Sequence, residues 1–358
     1  MTLGCPEDNL STDFSIIEGP YLRDLLDQPE ALEATSANLD VPKDLRAIAS
    51  KLRRGRFRSI VLTGMGASFH ALHSASIALV SHGVMADMVE TSELVHYKRQ
   101  LLSSANLLIV VSQSGRSAEI LRLLKINRRK STVIAVTNTP DSPLAQNASV
   151  TLLTRAGNEF SVSCKTYVTA LMVLRWISDV LTESDLRRTR REFANSVPIV
   201  RTYLQDWKEH VRGAAKLLSG TRHMFLVGRG TSLAAVGAGA LVIKESDHFH
   251  AEGMSTAAFR HGPFEMLGNE IFVLVFAGDR RARKLNLKLW QDIRERNGRT
   301  ELLGEDSGFA PFRLPPAHAS IQPLLEILPV QMITLALAFQ AGREPGRFAF
   351  VTKVTTIE

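Results

Sequence analysis

The residues of this chain best suited to do chemistry lie in LVIKESDHFHAEGMSTAAFRHGPFEML, from Leu241 to Leu267. The stretch sets a carboxylate, Glu245, sixteen positions ahead of an imidazole, His261, which sits in a His-Gly-Pro turn. Aldose–ketose chemistry needs those two groups, one to move a proton between adjacent carbons and one to open a sugar ring. Alone the pair decides nothing, because a Glu on a helix is ordinarily solvated and His-Gly-Pro is also a common turn. Its weight depends on what the rest of the chain could hold beside it.

A second chemical feature follows the apolar run Leu107–Val111. It reads Ser112-Gln113-Ser114-Gly115-Arg116-Ser117 and is a strand-to-helix turn with three hydroxyls, an amide and a glycine for sharp backbone geometry. Such a turn aims backbone N–H groups and hydroxyls at one point ahead of a helix N-terminus, which is a natural phosphate site. Serine is also the favoured helix-capping residue, so a single turn of this kind has two readings. Gly66-Ala67-Ser68 ends another apolar run in the same way.

These turns need elements to hold them, and the chain states those elements twice. Arg58-Ser-Ile-Val-Leu-Thr-Gly-Met-Gly-Ala-Ser superposes on Arg222-His-Met-Phe-Leu-Val-Gly-Arg-Gly-Thr-Ser at a shift of 164, matching Leu62 with Leu226, Gly64 with Gly228 and Ser68 with Ser232. Each copy is a short apolar run, a Gly-x-Gly-x-Ser turn and an Ala-rich helical stretch, which is the pattern of a buried parallel strand turning into a helix. The same shift pairs Leu107–Val111 with Ile271–Val275. Thr132–Val136 and Val150–Leu153 read as further strands of the first unit, and Ile120–Leu124 as part of a helix between strands. The expected fold is α/β, two tandem doubly wound units with parallel sheets flanked by helices. The boundaries predicted are a helical leader over 1–45, a first unit over 46–182, a helical connector over 183–218, a second unit over 219–345 and a tail over 346–358. In the second unit, the place of the serine turn is taken by Phe276-Ala277-Gly278-Asp279, without hydroxyls and with an acid that would repel phosphate. The first unit is therefore expected to hold the phosphate and the second to supply Glu245 and His261.

The totals of the 358-residue chain are those of a globular protein, 45% hydrophobic and 22% charged. Cys5 and Cys164 form no metal-type pair and suggest a reducing compartment, so the expected address is the cytoplasm. No signal-peptide pattern opens the sequence and no long unbroken apolar run suggests a membrane partner. The net charge of +7 is spread over Lys51–Arg58, Arg187–Arg191 and Arg280–Lys284 without interleaved aromatics, so nucleic acid is not the expected partner. G-x-G-x-x-G is not completed after Gly64, and there is no Walker lysine or zinc spacing. His70, His73, His248 and His250 lack a supporting ligand cluster, so neither a metal nor a cofactor is expected.

With SQSGRSAE, the KE…HAE…RHGP series and the tail Lys353-Val-Thr-Thr-Ile-Glu358 assembled, the chain resembles the sugar isomerase (SIS) domain family, from about residue 20 to its end. The likeness is to the two-domain isomerase half of glucosamine-6-phosphate synthase and its stand-alone phosphosugar isomerase and deaminase relatives. By motif match the resemblance implies that Ser68, Ser112, Gln113, Ser114 and Ser117 bind a sugar phosphate and that Ser163 contributes to the sugar. It implies that Glu245 shuttles a proton between C1 and C2. His261 would assist ring opening in the site of a neighbouring subunit, which makes a homodimer the expected assembly. Lys353 would lie on a tail that closes over the site.

Three departures from the family pattern shape the functional expectation. No glutaminase domain with an N-terminal nucleophilic cysteine is present in this sequence, so glutamine-dependent amination is not expected of it. Val242 stands where the synthase keeps a lysine three residues before its Glu, and Ala67 replaces a hydroxyl in the first phosphate turn. The leading expectation is an enzyme that converts glucosamine 6-phosphate to fructose 6-phosphate and ammonia. A fructosamine-phosphate deglycase, a plain ketose–aldose phosphate isomerase and a non-catalytic sugar-phosphate sensor are the alternatives.

Overall fold

A computed structural model describes residues 13–128, 130–350, 352–355 and 357. Cys5 lies outside them. Two parallel sheets form the frame. The first has five strands, β1 (Ser59–Gly64), β2 (Ala86–Glu90), β3 (Asn106–Val111), β4 (Thr132–Thr137) and β5 (Val150–Leu153), in the order β2-β1-β3-β4-β5. The second has four, β6 (His223–Gly228), β7 (His250–Ser255), β8 (Ile271–Phe276) and β9 (Arg299–Leu303), in the order β7-β6-β8-β9. Every residue of β1, β3 and β8 is buried, as runs rich in Val, Ile and Leu require when helices cover both faces of a sheet.

The strands that sequence periodicity passes over, β2, β7 and β9, are shorter on apolar residues. All three stand at sheet edges and carry exposed or half-exposed polar side chains. The repeat holds with one correction. Leu62 pairs with Ile109, while its equivalent Leu226 pairs with Leu274, one residue beyond what a constant shift of 164 gives. A single extra residue therefore lies between β6 and β8. The slip matters because successive side chains on a strand face opposite ways, so only the observed pairing tells which of them share a face.

The two units share one apolar core. The Gly66–Ser81 helix of the first and the Leu233–Asp247 helix of the second pack on each other between the sheets. Behind them lie two helices buried along nearly their whole length, Lys165–Thr182 and Gln322–Gln340. The latter is long and apolar enough to cross a membrane, yet 89% of it is buried inside the protein, where it serves as a core helix. Smaller apolar clusters cover the outer faces of the two sheets, one around Val110 and Leu123 and one around Val273 and Leu289.

The leader consists of helices Pro20–Leu26, Gln28–Asn38 and Lys43–Arg53, the last of them beginning at the Pro42 break. Buried Lys165 ties it to the first unit through a 2.8 Å ion pair with Asp24. The connector folds as two helices, Leu186–Gln205 and Trp207–Leu218, that meet at Asp206.

Candidate active site

Strand order reverses between β1 and β3, and ligands of open α/β sheets collect at the carboxyl ends of strands beside such a reversal. A cavity of about 210 Å³ opens there. Ser68, Ser112, Gln113, Ser114, Ser117 and Ser163 line it, and so do Glu245 and Lys353 from the other end of the sequence. Ser68 and Lys353, 285 positions apart, are thus brought together around one space.

The serine turn is held open by its backbone. Gly115 adopts φ +60°, and a Cβ there would fall 2.3 Å from the Ser142 hydroxyl, so this position needs glycine for both reasons. Ser112 Oγ accepts the Gly115 N–H at 3.1 Å, and the Gln113 carbonyl accepts the Asn138 N–H at 3.0 Å. These bonds lock the loop against β4. Ser117 occupies the N-cap of the Ala118–Asn127 helix, but its side chain makes no capping bond. Ser142, by contrast, caps its own short helix through a 3.2 Å bond from the Ala145 N–H. The Ser117 hydroxyl therefore remains available to a ligand at the positive end of a helix.

Glu245 sits near the end of the Leu233–Asp247 helix, and its carboxyl reaches the same cavity. Burial pushes its pKa from 4.5 up to about 7, with the nearby Glu159 adding to the rise and Lys244 opposing it. Glu159, which sequence reasoning passed over, is the organising carboxylate of the cavity. Its side chain is fully buried. One oxygen accepts the N–H groups of Cys164 (2.9 Å) and Thr166 (3.0 Å) at the start of the Lys165–Thr182 helix. The other accepts Thr166 Oγ1 at 2.6 Å and Lys353 Nζ at 3.1 Å. Lys353 also donates to the Glu159 carbonyl at 2.5 Å. Ser163 Oγ shares a 2.9 Å hydrogen bond with Thr166 Oγ1, which puts the expected sugar contact beside Glu159. Two residues past Lys353, the Thr355 carbonyl accepts the Ala118 N–H at 3.1 Å, so the tail spans the cavity from Glu159 to the serine turn.

His261 is the one expected residue outside this cavity. It follows the Thr256–Arg260 helix, is exposed, and lines no part of the space around Glu245. Val242 is buried in the shared core and does not line the cavity either. His70 and His73 are half-buried in the Gly66–Ser81 helix with rings 6.4 Å apart, and burial lowers His70 to about 4. Glu159 was illegible in the sequence because it stands in an irregular stretch, and its partners come from a helix start and from a tail 194 residues away.

A parallel α/β sheet with a hydroxyl-rich turn at its switch point, facing a buried carboxylate, has the geometry of a small-molecule site at the carboxyl ends of the strands. The sequence profile of the SIS domain matches residues 56–177 and 217–308, more than half of the chain, and the chain belongs to that family. It is 29% identical over 349 residues to the isomerizing glutamine–fructose-6-phosphate aminotransferase of Pyrococcus horikoshii, a match that covers 94% of this chain and 57% of that protein. The chain thus spans little more than half the length of that relative. A putative phosphosugar isomerase from Silicibacter pomeroyi superposes with a TM-score of 0.75 at 25% identity, covering 91% of this chain and 99% of the other. The C-terminal domain of the glucosamine-fructose-6-phosphate aminotransferase of Francisella tularensis gives 0.81 at 20% identity, over 95% and 98% of the two chains. Glucosamine-6-phosphate deaminase from Thermotoga maritima has the same fold, with a TM-score of 0.73 at 17% identity over 95% of this chain and all of the other.

Proposed function

We propose that this chain is a phosphosugar isomerase and deaminase that converts glucosamine 6-phosphate and water to fructose 6-phosphate and ammonia. The observation that carries the reading is Glu245, a carboxyl held near pKa 7 in the same cavity as the serine turn. A base titrating near neutrality is well matched to taking a proton from carbon and returning it. The phosphate rests on Ser112, Ser114, Ser117 and the helix start behind them, which fixes the sugar at one end. At the other end stand two carboxylates, Glu159 and Glu245, and that pairing suits a substrate with an amine opposite its phosphate.

In the reaction, His261 from a second subunit of a homodimer assists ring opening and exposes the C1 aldehyde. Glu245 removes the C2 proton to give the enolamine and delivers it to C1, leaving an imine at C2. Water adds to that imine and ammonia leaves, so the carbonyl ends at C2. Lys353, held by Glu159, closes the tail over the sugar. The cellular address consistent with this substrate is the cytoplasm.

The test is incubation of the protein with glucosamine 6-phosphate, following fructose 6-phosphate and ammonia together. Equal amounts of both support the reading. A plain ketose–aldose isomerase is the second reading, favoured by the Lys353–Glu159 pair, which already balances one of the two carboxylates. Interconversion of unaminated hexose phosphates without ammonia release selects it.

A further inference from the structure

The second unit has a larger cavity of its own, about 590 Å³ against about 210 Å³ around Glu245. That volume falls within the range of small-molecule sites. It lies at the carboxyl ends of β8 and β9, where Ala277, Gly278 and Gly304 form its base. The corresponding strand ends of the first unit hold the serine turn. Two helices, Arg283–Glu295 and Gln322–Gln340, begin on its wall and direct their N-termini toward it.

Inside the cavity stands Glu326, whose side chain is fully buried. One of its oxygens accepts Ser232 Oγ and Gln322 Nε2, each at 2.8 Å. The other has no hydrogen-bond partner. Ser232 is the repeat equivalent of Ser68, so the hydroxyl that faces the cavity in the first unit is turned here onto a carboxyl. A buried polar atom without a partner is costly, and a ligand hydroxyl would supply the missing bond.

The rim is cationic. Arg280 and Arg281 are exposed and form no ion pair among the described residues. The neighbouring charges are already engaged. Arg283 pairs with Glu305 (2.9 Å) and Asp306 (2.5 Å), and Asp279 accepts the N–H groups of Arg281 (2.9 Å) and Ala282 (3.4 Å). Asp279, the acid expected to repel phosphate from this turn, is held by these N–H groups and keeps its charge, which Arg280 and Arg281 together outweigh at the mouth.

We propose that this cavity is a second ligand site, for a phosphorylated polyol whose phosphate rests on Arg280 and Arg281 and whose hydroxyl reaches the open oxygen of Glu326. Burial raises Glu326 to about 8 and keeps it protonated at neutral pH, so the floor offers hydrogen bonds without repelling an anion.

Calorimetric titration of the full chain with fructose 6-phosphate tests the site, using Arg280→Ala/Arg281→Ala as the variant. Both arginines are on the surface, and neither belongs to the cavity around Glu245. The wild type is expected to show a binding event that the variant weakens at least about tenfold, as loss of charged hydrogen-bond donors does, while unphosphorylated fructose does not produce it. Any event at the first cavity, and turnover of glucosamine 6-phosphate, stay unchanged in the variant. Superimposable isotherms for wild type and variant overturn the proposal.

Discussion

Lys353 Nζ lies 3.1 Å from Glu159 Oε2, joining the C-terminal tail to a buried carboxylate in the first unit. The bond ties tail closure to the electrostatics of the cavity, because the same Glu159 helps to hold the Glu245 carboxyl high.

The two partners are not equivalent. Glu159→Ala strips acceptors from two buried N–H groups and from Lys353, and is expected to cost at least about 3 kcal/mol in urea unfolding. Lys353→Ala leaves Glu159 its other donors and should cost less, about 1.5 kcal/mol, while lowering kcat/KM through a loosened tail. Equal or reversed losses would contradict the central place given to Glu159.

Glu245 sets a pH dependence in both activity and stability. As the proposed base it must be ionised, so kcat/KM is expected to rise with pH through about 7. Stability moves the other way. The folded protein binds this proton more tightly than the unfolded chain does, so nothing is lost below about 4.5. The penalty accumulates between 4.5 and about 7, reaching about 3 kcal/mol above that range. Glu245→Gln should therefore melt well above the wild type at pH 8 and close to it at pH 4.5. Parallel melting curves at both pH values would show that this carboxyl is not perturbed.

Two serines at helix starts separate binding from capping. Ser117→Ala is expected to leave stability within about 0.5 kcal/mol, because its hydroxyl caps nothing, while weakening sugar-phosphate affinity about tenfold. Ser142→Ala removes a formed cap and should cost about 1 kcal/mol. Thermal melts with and without fructose 6-phosphate read both effects.

Gly115→Ala should damage fold and site together. It places a side chain in a left-handed conformation and against Ser142, for a combined loss of about 2–4 kcal/mol in chemical denaturation. Phosphate binding should be lost with the shape of the turn.

The exposed His261 allows a complementation experiment. On the proposed homodimer, Glu245→Gln and His261→Asn proteins are each expected to be inactive alone and to form hybrid dimers in which one site has both groups. About a quarter of wild-type activity is expected after random mixing of equal amounts. No recovery, in a mixture shown to contain hybrids, would place His261 outside the reaction.

What the sequence disclosed depended on burial and locality. Leu107–Val111 followed by Ser112–Ser117 was readable because a doubly buried strand is a run of branched apolar residues and its turn is local. Glu245 was readable from its neighbours, and the Gly-x-Gly-x-Ser repeat exposed the two-unit plan. The edge strands Ala86–Glu90 and Arg299–Leu303 were not readable, since half-solvated strands carry polar residues that resemble loops. The one-residue slip between β6 and β8 is set by strand pairing and leaves no mark on composition. Glu159 and Glu326 owe their character to contacts formed only on folding, with Lys353 in one case and with Ser232 and Gln322 in the other.

Ammonia release from glucosamine 6-phosphate by wild type and Glu245→Gln, with binding followed by the melting temperature, tests most directly whether Glu245 carries the proton. Release by the wild type alone, with both proteins stabilised by the sugar phosphate, is the expected result. Comparable release by Glu245→Gln would contradict it.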